Sequence, residues 1–181
     1  MKKKGILKIV SYVILASLVL PGVFALLPEI ESKAETNGES ASGYVYSVLD
    51  EGEKTCILQG FTIEEQDVTS NAGKLVIPEF IDGYQVVEIQ GGAFASSNIN
   101  GQRMDFGITE VVIPDSVTTI GREAFYDNEK LTKVTLGSKV TKLGSRVFAD
   151  CTLLTSINQP SELTEFGLDA FRDTPWLTNQ L

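Results

Sequence analysis

The sequence predicts a β-rich α/β fold: a solenoid of about four stacked 23-residue units, the first irregular, with a β-hairpin cap at its amino end. Three observations predict it. The pattern apolar, Gly, two variable residues, small apolar, Phe recurs at Ile120 to Phe125, Leu143 to Phe148 and Phe166 to Phe171, with a step of 23 between phenylalanines. A second block keeps that step, running from Ile108 to Pro114, from Leu131 to Gly137 and from Leu154 to Pro160. Within each second block the apolar residues alternate as in a short strand. A fixed period of this length means units that cannot bury their apolar faces alone and must stack.

In chain order, residues 1–34 read first, as a targeting segment: Lys2, Lys3, Lys4 and Lys8 precede an uncharged apolar run from Ile9 to Leu27, and Ser32-Lys33-Ala34 sets small residues before a cut at Glu35. The alternative is a retained anchor helix, since such a run approaches the ~20 residues that span a bilayer. Both readings export the remainder of the chain. Residues 35–43 are small and polar and read as a flexible linker. Residues 44–74 hold the capping hairpin, with Tyr44 to Val48 and Thr55 to Leu58 flanking Asp50 to Lys54. The repeat domain occupies 75–181. It begins with a copy at Leu75 to Pro78 and Ile89 to Phe94 that carries two insertions.

Each unit is expected to supply two short strands, a Gly-opened turn and one helical turn whose Phe points inward. Stacking would then align Val111, Val134 and Ile157, Ile113 and Leu136, and Phe94, Phe125, Phe148 and Phe171 into buried columns. Gly121, Gly144 and Gly167 are expected to mark sharp backbone turns. Trp176 is expected to cover the last layer or else to pair with a following repeat. Cys56 and Cys151 lie some four layers apart, beyond disulfide reach, and read as reduced, buried and structural.

The register from Leu131 through Val134, Leu136, Val140, Leu143-Gly144 and Val147-Phe148 to Cys151 resembles the BspA-type leucine-rich repeat of secreted and surface proteins. The resemblance covers about Leu75 to Phe171. It departs from the family in the insertion after Phe94. The resemblance implies a leucine-rich repeat fold and an extracellular binding module, associated with adhesion, that has no catalytic residues.

Chemistry is narrowed by composition. Histidine is absent from the 181 residues, which removes imidazole triads and His-bearing zinc sites. Two cysteines cannot build a disulfide scaffold or a four-cysteine metal site. The net charge is -9, and because residues 1–34 carry +3, the rest carries -12, which disfavours nucleic acid and anionic lipid. No phosphate loop, calcium loop or nucleophile elbow occurs. No enzyme activity, cofactor or metal is expected, and a membrane contact only through an uncleaved amino terminus. The expected partner is an extracellular protein or glycan. The candidate binding face is the pair of strand ladders Lys74, Glu110, Lys133, Ser156 and Val76, Val112, Thr135, Asn158. The competing reading is a structural spacer, or a fragment of a larger surface protein, whose faces are merely solvated.

Overall fold

In the computed structural model, residues 37–39, 43–61, 73–99 and 102–180 are described. The targeting segment and most of the linker lie outside them. Within the linker, β1 (Asn37–Glu39) pairs antiparallel with β2 (Tyr44–Asp50). β2 in turn forms a hairpin with β3 (Thr55–Phe61). At the turn between them, the Asp50 carboxylate accepts from the Gly52 and Glu53 N–H groups at 2.7 and 2.9 Å.

From β3 onward the chain climbs in layers. Each layer gives one short strand to each of two parallel arrays. One array holds β4 (Lys74–Val76), β9 (Glu110–Val112), β11 (Lys133–Thr135) and β13 (Ser156–Ile157), side by side in that order. The other continues from β3 through β6 (Tyr84–Ile89), β10 (Thr119–Ile120), β12 (Lys142–Leu143) and β14 (Glu165–Phe166). The 23-residue period appears directly as register, since Lys133 pairs with Ser156 and Lys142 with Glu165.

The two insertions are hairpins. β5 (Phe80–Ile81) turns into β6 through Asp82 and Gly83, at φ 50° and 87°. Two consecutive positive φ values mark the tight turn whose twist matches its strands. After Phe94, β7 (Ser97–Ile99) and β8 (Gln102–Met104) pair antiparallel.

The expected helical turn does not form. Among the described residues the one helix is α1 (Pro175–Thr178), capped by the Thr174 hydroxyl, which accepts from the Leu177 N–H. In the repeats, Glu123, Arg146 and Asp169 stand at φ 55 to 58°, and Asp127, Asp150 and Asp173 at 58 to 62°. Left-handed residues four apart cannot continue a right-handed helix. The turns instead bond to one another across layers. The N–H groups of Glu123, Phe125 and Asp127 donate to the carbonyls of Ser145, Val147 and Ala149 at 2.9 to 3.0 Å, and those of Arg146, Phe148 and Asp150 repeat this with Leu168, Ala170 and Arg172.

That close stacking explains the glycine column. Gly121, Gly144 and Gly167 do not have positive φ. A Cβ on Gly144 would strike the backbone of Gly121 and Arg122, and one on Gly167 that of Gly144 and Ser145. Layer spacing, rather than a special turn conformation, demands glycine there.

The core runs between the two arrays. Val111, Val134, Ile113, Leu136, Phe94, Phe125 and Phe148 are buried, while Ile157 in the last layer is only partly so. The rings of Phe94, Phe125, Phe148 and Phe171 stack at centroid distances of 5.3, 5.4 and 5.7 Å, within 15° of parallel. Trp176 covers the last ring at 4.5 Å, and its backbone N–H donates to the Leu154 carbonyl. Cys56 and Cys151 are free and buried. The Cys151 thiol donates to the Phe125 carbonyl at 3.3 Å, the place where one layer earlier Asn128 serves the Phe94 carbonyl.

Candidate binding face

A strand sends alternate side chains to opposite faces, so the inward column Leu75, Val111, Val134 and Ile157 leaves its neighbours facing out. Register then aligns Lys74 with Glu110, Lys133 and Ser156, and Val76 with Val112 and Thr135. Asn158 follows one residue beyond β13. Seven of the eight candidate residues thus lie within one four-stranded parallel sheet and the eighth at its margin.

The first ladder is the charged one. Lys74 Nζ stands 4.0 Å from Glu110 Oε2, with both side chains roughly two-fifths exposed. Lys133 occupies the register position on the other side of Glu110 and is exposed, as is Ser156. Two cations flank one anion, a local excess of positive charge on a chain whose net charge is -9. Such an exposed pair contributes only ~0 to 1 kcal/mol to stability and remains open to exchange with a partner's charges.

The second ladder carries no charge, with two valines followed by Thr135 and Asn158. Val76 is 49% exposed, and Val112 and Thr135 are half-buried. Asn158 has a different occupation. Its Oδ1 accepts from the Leu136 N–H at 2.6 Å, and its Nδ2 donates to the Leu136 carbonyl at 2.8 Å. In the preceding layers the equivalent N–H groups, Ile77 and Ile113, donate to the backbone carbonyls of Val112 and Thr135. The Asn158 amide therefore takes the place of a strand backbone and holds the sheet margin.

Two contributions to the face go beyond the eight ladder residues. The Tyr44 hydroxyl reaches the Val76 carbonyl at 3.4 Å, bringing a ring of the hairpin to the edge of β4 from 32 residues away. Thr132 and Thr155, each just before a ladder position, donate their hydroxyls to the carbonyls of Thr109 and Thr132 at 2.9 and 3.5 Å and so pin successive layers. The step of 23 between Thr109, Thr132 and Thr155 was the available signal.

On the other array, Thr118 and Thr141 donate their hydroxyls to the carbonyls of Val87 and Thr118, and Lys142 pairs with Glu165 at 3.2 Å. A shallow depression beside them is lined by Thr118, Thr141, Ser138, Lys139, Ser161 and Glu162. Among the described residues, no cluster of three or more Cys, Asp or Glu side chains has an arrangement that could hold a metal ion.

The family model described as BspA type Leucine rich repeat region matches residues 83–180 in six copies. No curated protein gives a significant match. Three solved structures share the architecture. A leucine-rich repeat protein from Bacteroides capillosus is 24% identical, with a TM-score of 0.60 over 78% of this chain and 94% of that one. One from Bacteroides ovatus is 26% identical, with a TM-score of 0.58 over 73% of this chain and 32% of that one. A leucine rich cell surface protein from Faecalibacterium prausnitzii is 28% identical, with a TM-score of 0.57 over 76% and 34%. The match thus spans nearly all of the first structure and about a third of the other two. The fold is a leucine-rich repeat fold with its strands in parallel sheets.

Proposed function

We propose that this chain, which belongs to the BspA-type leucine-rich repeat family, is an exported, non-catalytic binding module that recognises an extracellular protein or glycan. The observation that carries this reading is the register of the four-stranded sheet. It aligns outward residues of four layers into one surface while the inward residues stay uniformly apolar. Repeat proteins typically bind through such extended surfaces. The stack is read as a short solenoid of about four 23-residue units. Export is supported by the basic and apolar order of residues 1–34, and by a structural neighbour named as a cell surface protein.

The full chain, produced in a bacterial host, is expected outside the cytoplasmic membrane with Glu35 as its first residue. Amino-terminal sequencing of the recovered protein checks this, and soluble cytosolic protein would defeat it. The recovered protein is then applied to arrays of extracellular proteins and glycans. Saturable binding is expected, weakened together with its salt dependence by Glu110→Ala with Lys133→Ala. Thr118→Val with Thr141→Val is the control on the other array. Loss of binding in the control alone would place recognition elsewhere, and silence across the arrays would favour a spacer.

A further inference from the structure

The corner segments that lead into β10, β12 and β14 repeat with the 23-residue step, so that Thr118 is equivalent to Thr141, Ser138 to Ser161 and Lys139 to Glu162. Their backbones are locked together. The Thr118 N–H donates to the Val87 carbonyl and the Thr141 N–H to the Thr118 carbonyl, both at 2.9 Å. A Cβ on Gly137 would strike the Pro114 carbonyl and Asp115, so the corners are in close contact. The depression that these side chains line holds about 450 Å³, inside the ~300–1,000 Å³ of small-ligand sites. Its walls are set by the stack before any ligand arrives, which lowers the ordering cost of binding.

The lining is rich in acceptors. The Thr118 and Thr141 hydroxyls donate to the carbonyls of Val87 and Thr118 at 3.3 and 3.2 Å. A hydroxyl has one hydrogen, so what these two still offer is lone pairs. Ser138 is in the same state, because its N–H, at 2.6 Å, and its hydroxyl both donate to the Asp115 carboxylate. Exposed Glu162 adds a carboxylate, which only accepts, and exposed Lys139 adds an ammonium that cancels its charge. The matching ligand is compact and neutral and brings several hydroxyl donors, as a sugar ring does. An extended peptide does not fit, since β10 is paired on both sides by β6 and β12, and β12 by β10 and β14, which leaves neither with an open edge. An anionic glycan is disfavoured by the charge of -12 on the chain after residue 34.

We infer that this depression is a second binding site and holds a sugar residue of a neutral glycan. The sugar hydroxyls donate to Thr118 Oγ1, Thr141 Oγ1 and the Glu162 carboxylate, and a sugar oxygen accepts from the Lys139 ammonium. The site lies on the other array from the ladder face and does not depend on it.

The test uses the protein recovered from full-chain expression and a panel of neutral trisaccharides built from glucose, galactose, mannose and N-acetylglucosamine, with trigalacturonate as the anionic comparison. Titration followed by NMR is expected to give saturable binding of at least one neutral trisaccharide, with a Kd in the millimolar range usual for a small open site and little dependence on salt. Glu162→Ala and Lys139→Ala should each weaken it at least fivefold with an unchanged melting temperature. Glu110→Ala with Lys133→Ala should leave it unaltered, whereas Thr118→Val with Thr141→Val should weaken it, which keeps this site apart from the ladder face. Saturation by no neutral trisaccharide, tighter binding of trigalacturonate, or indifference to both Glu162→Ala and Lys139→Ala would overturn the proposal. So would loss of sugar binding in Glu110→Ala with Lys133→Ala, because the sugar would then sit on the ladder face.

Discussion

The side-chain amide of Asn158 holds both backbone polar groups of Leu136, accepting from its N–H at 2.6 Å and donating to its carbonyl at 2.8 Å. A side chain thereby completes a ladder that backbone completes in the earlier layers. Asn158→Ala should cost roughly 1–2 kcal/mol, since each such bond is worth about 1 kcal/mol net. Denaturant titration checks this, and an unchanged midpoint would mean that water replaces the amide without loss.

Phe148 lies between Phe125 and Phe171 and is fully buried. Phe148→Ala should cost ~3–5 kcal/mol, the range for deleting a large aromatic from a packed interior. Thermal melting reads it. A transition that stays in place would contradict an interior Phe column.

Gly144→Ala should destabilise by about 3 kcal/mol or more, because the added Cβ meets rigid backbone of the layer below. Gly83→Ala is the contrast. At φ 87° with nothing within 4 Å of an added Cβ, it should lose only about 1–2 kcal/mol of conformational strain. Equal losses at the two sites would show that layer spacing does not set the glycine requirement.

Burial pushes the Cys56 thiol up to about 11 and the Cys151 thiol up to about 12. At about pH 8 neither presents appreciable thiolate, the reactive form. A thiol reagent should therefore leave the native chain unlabelled over minutes and label both groups once denaturant is added. Rapid native labelling of either cysteine would mean that its surroundings open readily.

The Tyr126 hydroxyl, followed by the Arg172 guanidinium at 3.1 and 3.2 Å, holds the Asp150 carboxyl below the usual carboxylate range. A lowered folded-state value means that the ionised form stabilises the fold. That contribution is complete above the unfolded value near ~4 and is lost as pH falls through the folded value. Asp150→Asn should lower the melting temperature at about pH 7 and flatten its fall below about pH 4. An Asp150→Asn profile parallel to the parent's throughout would remove Asp150 from the acid response.

The 23-residue step by itself determined the two strand arrays, the Phe column and the pairing of Lys133 with Ser156. Apolar burial is nondirectional, and in a stack equivalent positions must coincide, so periodicity alone picks out the inward columns. What each layer does with its polar backbone was decided only by its neighbours. The left-handed residues at Glu123 and Asp127 replace the anticipated helical turn with bonds to Ser145, Val147 and Ala149 of the adjoining layer. Gly144 is required by Arg122 of the layer before it, and Asn158 is occupied by Leu136. The exposure of Phe166 follows from its place at a sheet edge, although the repeat pattern gives it the same role as buried Leu143. Hydrogen bonds and close contacts are directional and have a short range, so they are set by whichever groups the assembled layers bring together.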